Sequence, residues 1–311
     1  MALLHTFSIV ARDKETGDLG VAVQTHWFAV GALCPWVEAG TGAVATQSMV
    51  EVSYGPKSLE YLRSGKTPRE ALDLQIAADE NSDQRQVAII NHKGKIAVHT
   101  GSRCIREAGH FVGEGYTVQA NMMLNNSIWP AMAEAFEKTS GDLSWRMLSA
   151  LKAGQAAGGD IRGIQSAALL VADNQKSNEP WKHVKVDIRI DDHSDPIGEL
   201  ERLLSIHSAY EQMNKGDDYL SKGNFKAAGE AYQQAYKLNP GNDEVPFWHA
   251  VSLIEADRLE EALPLFESIF RKDPNWYELV KRLPECGLMK NDPIILKRIS
   301  DIRYPISDEE K

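Results

Sequence analysis

The pattern of hydrophobic and polar positions changes period near residue 195. Before that point, short apolar runs rich in β-branched residues alternate with amphipathic stretches; after it only the helical period remains. Phe7 through Arg12 and Leu19 through Thr25 are strand-like runs joined by Asp13-Lys14-Glu15-Thr16-Gly17-Asp18, which predicts a hairpin. Gly42 through Gln47 adds a third run. A helix is predicted over about 55–64, and Thr67-Pro68-Arg69-Glu70 opens a second as a capping box with proline at its first helical position. Strand pattern returns at Gln86 through Asn91, Lys95 through Thr100 and Tyr116 through Ala120, a second antiparallel block. Helices over about 127–139 and 143–154 follow, then strands at Ser166 through Ala172 and Val184 through Ile190. Hairpin-joined strands separated by helix pairs predict two mostly antiparallel sheets stacked face to face, each covered outside by a helix pair. That is a four-layer α/β/β/α sandwich, an α+β fold; an ordinary α+β domain is the other architecture this order allows.

Asp195-Pro196 reads as a cap and first residue of a helix, and everything beyond reads as all-α. The helical part repeats at a spacing of 34 residues: Gly216 recurs as Ala250, Tyr219 as Leu253, Ala228 as Ala262, Tyr232 as Phe266, Ala235 as Ile269 and Pro240 as Pro274. Small positions let paired helices approach, bulky ones fill the gap, and the prolines end each unit. This resembles the tetratricopeptide repeat over about residues 207–274, with 276–303 as a partial repeat or capping helices. Pro246 and Ile269 depart from the pattern, so the second copy is expected to pack more loosely. Two domains are thus expected, 1–204 and 205–311.

Composition narrows the function classes. The formal charge of -10 argues against broad binding to nucleic-acid phosphates, and no stretch has the length and apolarity of a membrane span. Met1-Ala2-Leu3-Leu4-His5 lacks a basic start and a long apolar core, so it does not read as a signal peptide. Cys34, Cys104 and Cys286 lie far apart without CxxC spacing, which fits a reducing cytoplasm better than a disulfide framework or a zinc site. No metal or cofactor is expected, for the chain has no zinc-ligand cluster, P-loop or GxSxG elbow. Asp191-Asp192-His193 with Asp195 reads as turn and helix-cap chemistry, since consecutive residues on an extended segment point in opposite directions.

Thr6 heads the first strand. A threonine hydroxyl is a poor nucleophile at neutral pH, and a free α-amino group on the same residue can serve as its base. Here that requires cutting the His5–Thr6 bond; otherwise Thr6 is a β-branched residue beginning a strand. His26 and His99 lie at strand ends, and His110 and His193 in or beside loops. Glycines lead into two strands, at Gly158-Gly159-Asp160-Ile161-Arg162-Gly163 and at Gly109, Gly113 and Gly115, where they serve either close approach of backbone to a ligand or unusual turns. Asn121, just past a strand, is a candidate oxyanion donor.

Several stretches in order resemble a bacterial and archaeal family of the Ntn-hydrolase superfamily, over residues 6–204: Thr6-Phe7-Ser8-Ile9-Val10-Ala11-Arg12-Asp13, Leu19-Gly20-Val21-Ala22-Val23-Gln24-Thr25-His26, Gly42-Ala43-Val44-Ala45-Thr46-Gln47, Ser53-Tyr54-Gly55-Pro56, His99 through Cys104, Gly113 through Tyr116, Gln119 through Met122, Gly158 through Asp160 and Arg162 through Val171. The resemblance implies the stacked-sheet architecture and an N-terminal nucleophile, matched by Thr6. In that superfamily the exposed residue attacks an amide carbonyl and its own amine shuttles the proton. The expectation is therefore an amidohydrolase acting on a small amide or peptide-like molecule. Thr6 would be nucleophile and base, Asn121 an oxyanion donor, and His26, His99, Arg103 and Asp160 would orient substrate or amine. The alternative is a non-catalytic binding or scaffold protein whose helical repeats hold a protein partner or mediate self-association.

Overall fold

Strands form early in the chain because their residues are apolar on both faces and both faces are covered. β2 (Thr6–Arg12) is buried except at its last residue, and β3 (Leu19–Thr25) is buried throughout. In the computed structural model, which describes residues 3–4 and 6–302, they pair antiparallel with Thr6 opposite Thr25 and Arg12 opposite Leu19. The described strands fall into two antiparallel sheets. The larger runs in the order β11 (Val184–Ile190), β10 (Ser166–Ala172), β3, β2, β9 (Tyr116–Ala120), β8 (Gly109–Gly113). The smaller runs β1 (Leu3–Leu4), β5 (Gly42–Met49), β6 (Arg85–Asn91), β7 (Ile96–Thr100), with β4 (Pro35–Glu38) also on β5.

The interior between the sheets is filled by Val10, Val21, Val23, Ala43, Ala45, Ala88, Ile90 and Ala168. Small alanines on β5 and β6 face larger valines on β2 and β3, which lets the layers interdigitate. Helices α1 (Tyr54–Arg63) and α2 (Pro68–Ala78) cover the smaller sheet through Tyr54, Leu59, Leu62, Ala71 and Leu72, packed on Val44, Val87 and Ile89. The capping box that opens α2 forms as the sequence predicts, with Thr67 and Glu70 each satisfying the other's backbone N–H. On the larger sheet, α3 (Ile128–Lys138) packs on β8 and β9, and α4 (Leu143–Ala156) on β2, β3 and β10. Gly20 permits this close approach: a Cβ there would lie 2.5 Å from Met147 Cε.

Three features differ from the sequence reading. The strand at Tyr116–Ala120 joins β2 and β8 in the larger sheet, not β6 and β7 in the smaller, so the successive strand blocks do not correspond to sheets. β4 and β8 are short and escape the apolar-run criterion, β8 being a partly exposed edge strand. The chain also changes sheets at its start: Leu3 and Leu4 pair with Met49 and Ser48 of the smaller sheet, while Thr6 begins the centre of the larger one. His5 lies outside the described residues, as do 1–2 and 303–311.

The chain divides into two units, Met1–Leu203 and Leu204–Lys311. α5 (Pro196–Ser221) starts as its cap predicts, Asp195 Oδ1 accepting from the Gly198 N–H at 3.0 Å. The second unit continues with α6 (Phe225–Leu238), α7 (Glu244–Glu255), α8 (Leu259–Phe270), α9 (Asn275–Arg282) and α10 (Pro293–Ser300). The repeat's small positions are explained by contact, since a Cβ on Gly216 would lie 2.8 Å from the Tyr232 ring. Pro246 falls in the first turn of α7, where a missing N–H costs no intrahelical bond. The second copy, expected to be looser, buries Phe266, Ile269 and Phe270 almost completely. Among the described residues no helix is long and apolar enough to cross a membrane.

Candidate functional site

Thr6 lies where the chain passes from one sheet to the other. Alternation along β2 puts its side chain on the face of Ser8 and Val10, and Ser8 Oγ donates to Gln47 Oε1 of the opposite sheet at 2.6 Å. The Thr6 side chain therefore points between the sheets. The residue is fully buried, and its hydroxyl has no hydrogen-bond partner among the described residues. Its carbonyl is well served, accepting from the Asn121 N–H at 3.1 Å and from Gln47 Nε2 at 3.1 Å.

Around that hydroxyl the polar groups form a network. Gln119 Nε2 donates to Ser8 Oγ at 2.6 Å, and Gln47 Nε2 donates to Gln86 Oε1 at 2.7 Å. Asn121 Nδ2 donates to the same Gln86 oxygen at 2.9 Å, and Gln86 Nε2 reaches the Ala120 carbonyl and Thr100 Oγ1, both at 2.9 Å. Thr100 Oγ1 in turn lies 2.8 Å from His110 Nδ1 at the surface. Buried amides are tolerated in such a place only when their donors and acceptors are paired, and here they tie the two sheets together. Cys34 borders the network, its Sγ 3.8 Å from Gln47 Oε1. Burial pushes that thiol up to about 12, so it stays protonated at neutral pH and is no nucleophile.

A second cluster stands beside Thr25, the residue opposite Thr6. Asp160, whose side chain is buried, accepts from the His26 N–H at 3.1 Å, from the Arg162 N–H at 2.9 Å and from Arg162 Nη2 at 2.7 Å. Arg162 Nη2 is also 3.5 Å from Thr25 Oγ1. The turn that carries the pair has Gly158, Gly159 and Gly163 at φ of +128°, +61° and +113°, a region that side chains disfavour. These glycines thus serve backbone geometry. The His26 ring is turned to the Ile164 carbonyl, Nδ1 at 3.3 Å.

Of the residues predicted from sequence, Asn121, His26 and Asp160 gather near the start of β2. The Asn121 amide is engaged by Gln86 and stands 3.5 Å from the Thr6 carbonyl. His99 is not brought in: it precedes Thr100 on β7, so it faces the other side of the sheet, and its Nε2 meets the Ser82 carbonyl at 2.8 Å. Arg103 is exposed and pairs with Asp83 at 3.3 Å. The sequence reading missed Ser8, Thr25, Gln47, Gln86, Gln119 and Arg162. Their signal was present: apolar strands all carry polar residues at one end of the fold, as Gln24-Thr25, Gln47-Ser48, Arg85-Gln86, Gln119 with Asn121, and Gln165-Ser166. Of these, Thr25, Gln47, Gln86, Gln119 and Ser166 fall at inward positions of buried strands, where polar residues are out of place unless they share a site.

Residues 6–200 match the model of a family described as a family of unknown function, DUF1028, and residues 219–283 match that of the tetratricopeptide repeat. A crystal structure of a Silicibacter pomeroyi protein assigned to DUF1028 is similar at 33% sequence identity and a TM-score of 0.58, over 64% of this chain and 84% of that one. No curated protein matches the chain.

Proposed function

The chain belongs to the DUF1028 family, and on that footing we propose that its N-terminal unit is a latent amide hydrolase of the Ntn type. Cleavage after His5 frees the α-amine of Thr6. That amine takes the proton from Oγ1, and Oγ1 attacks the amide carbonyl of a small amide or peptide-like substrate. The tetrahedral oxyanion is held by N–H donors, with Asn121 the candidate among them. The C–N bond then breaks as the leaving amine takes the proton from the Thr6 ammonium, and water hydrolyses the resulting ester.

One observation carries the reading: the Thr6 hydroxyl is buried without a partner inside a network whose neighbouring amides are paired. An unpaired buried hydroxyl costs about 1–3 kcal/mol, and a group kept ready for chemistry accounts for that cost at the head of β2. The arrangement of two antiparallel sheets, a helix pair against each, and a strand-leading threonine facing between them supports the four-layer sandwich of that superfamily. Three free cysteines are in keeping with a reducing, cytoplasmic setting.

The test combines mass with turnover. Purified wild-type chain is expected to lose Met1 through His5, Thr6→Ser to retain cutting and hydrolysis, and Thr6→Ala to lose both. A wild-type chain that stays whole while hydrolysing amides would sink the Thr6 mechanism. The repeat match favours a second role, binding of a protein partner or self-association through α5–α10.

A further inference from the structure

Four short segments meet where β2 begins, and backbone hydrogen bonds fix their order. Asn121 N–H bonds the Thr6 carbonyl at 3.1 Å, Met122 N–H the Ile105 carbonyl at 3.2 Å, Ile161 N–H the Met122 carbonyl at 3.3 Å, and Leu124 N–H the Gly159 carbonyl at 3.0 Å. Ile105, Met122 and Ile161 thus lie side by side, one residue beyond the partner of Thr6, with Leu124 close behind. Met122 sits at φ +59°, a turn that a non-glycine residue seldom makes and that is found most often where a site requires it. Gly158 leaves room for Leu124, since a Cβ there would lie 3.0 Å from Leu124 Cδ2.

These residues are large, apolar and open to water: Ile105 is 45% exposed, and Leu124 and Ile161 are each 56% exposed. Single exposed apolar side chains are ordinary, but three on adjoining segments at the edge of a candidate site form a patch with a location. Its surroundings offer no net charge. Arg162 is already paired with Asp160, and Arg106 stands beside Glu107 in the chain.

We propose that this apolar collar selects the substrate, so that the amide attacked by Thr6 carries an extended apolar group on the acyl side of its scissile bond. The inference rests on the reading of Thr6 as nucleophile and names the substrate class for it. The occupant follows from continuity: Met122, bonded on one side to Ile105 and on the other to Ile161, is the residue after Asn121, whose N–H bonds the Thr6 carbonyl at 3.1 Å. An ionic group gains little from Arg162, whose charge is already matched by Asp160.

The experiment uses the full processed chain and N-acyl p-nitroanilides whose acyl chains lengthen from two to ten carbons, with apolar and charged dipeptide anilides beside them. kcat/KM is expected to rise roughly fourfold per methylene until the collar is covered, mainly through KM. Ile161→Asp and Leu124→Asp, both exposed and checked for folding by circular dichroism, should flatten that rise and leave turnover of the acetyl compound unchanged. A steeper rise with acyl chains than with apolar dipeptides identifies a fatty acyl group; the reverse identifies a peptide. Turnover that ignores chain length overturns the collar while leaving Thr6 intact. If no substrate turns over, calorimetric binding of the corresponding N-butyl acylamides to the wild-type chain decides: affinity that rises with acyl length and falls in Ile161→Asp supports the collar, and flat affinity overturns it. Conversion of a dimer to a monomer by Ile161→Asp, with binding unchanged, shows the patch to be covered by a second copy and also overturns it.

Discussion

Two hydroxyls two residues apart on one strand are treated in opposite ways. Ser8 Oγ receives Gln119 and gives to Gln47, while Thr6 Oγ1 has neither kind of bond. Substituting them should therefore have opposite consequences. Ser8→Ala leaves two buried amides short of a partner and is expected to cost about 1–3 kcal/mol. Thr6→Val replaces an unpaired hydroxyl by a methyl group of similar size and is expected to change stability by less than about 1 kcal/mol, in the stabilising direction. Urea unfolding of chains shown by mass to be uncut checks both, and a large loss in Thr6→Val would assign its hydroxyl a structural bond. At this scale the sequence was only partly legible. Thr6, Asn121, His26 and Asp160 could be picked out because each stands at a strand end or turn. The glutamines could not, because their meaning depends on which strands face one another: Gln47 and Gln86 are neighbours in one sheet, and their partners Ser8 and Asn121 belong to the other. His99 was misplaced for the related reason that a one-residue difference along β7 exchanges the inner face for the outer.

Elements were more readable than residues because periodicity is local. The hairpin of β2 and β3, the capping box of α2 and the cap of α5 follow from residues a few positions apart. The two-residue strand β1 has no such pattern, and its pairing with β5 is a long-range event. The repeat helices add a prediction of their own. His249 of α7 is stacked on Tyr232 of α6, with centroids 3.8 Å apart and planes 16° apart, and burial lowers its pKa to about 4. Between its ordinary value of about 6.5 and that lowered value, the unfolded chain takes up a proton that the folded one refuses. Stability then rises with pH, so this contribution is whole above about 6.5 and declines as pH falls toward 4. Hydrogen exchange of the α6 and α7 amides should show protection falling over that window, and His249→Phe should flatten the dependence. An unchanged slope in the variant would remove His249 from the account.

At the scale of the whole chain, two units of different construction are joined in sequence, and the family assignment covers the first while the repeat assignment covers much of the second. The functional claim depends on a single backbone bond in the first. Leu3 and Leu4 are paired with the smaller sheet and Thr6 with the larger, so the bond that the proposal requires to be cut lies between segments held by different sheets. Cutting there gives Thr6 an amine and frees the preceding segment from covalent attachment to the nucleophile. Intact mass spectrometry of the purified full chain, followed during incubation and set against Thr6→Ala, tests this most directly. The account predicts a wild-type species lacking Met1 through His5 and a Thr6→Ala chain in which the peptide bond after His5 stays intact. A wild-type chain that keeps the His5–Thr6 bond throughout, or an equal loss from both proteins, would contradict it.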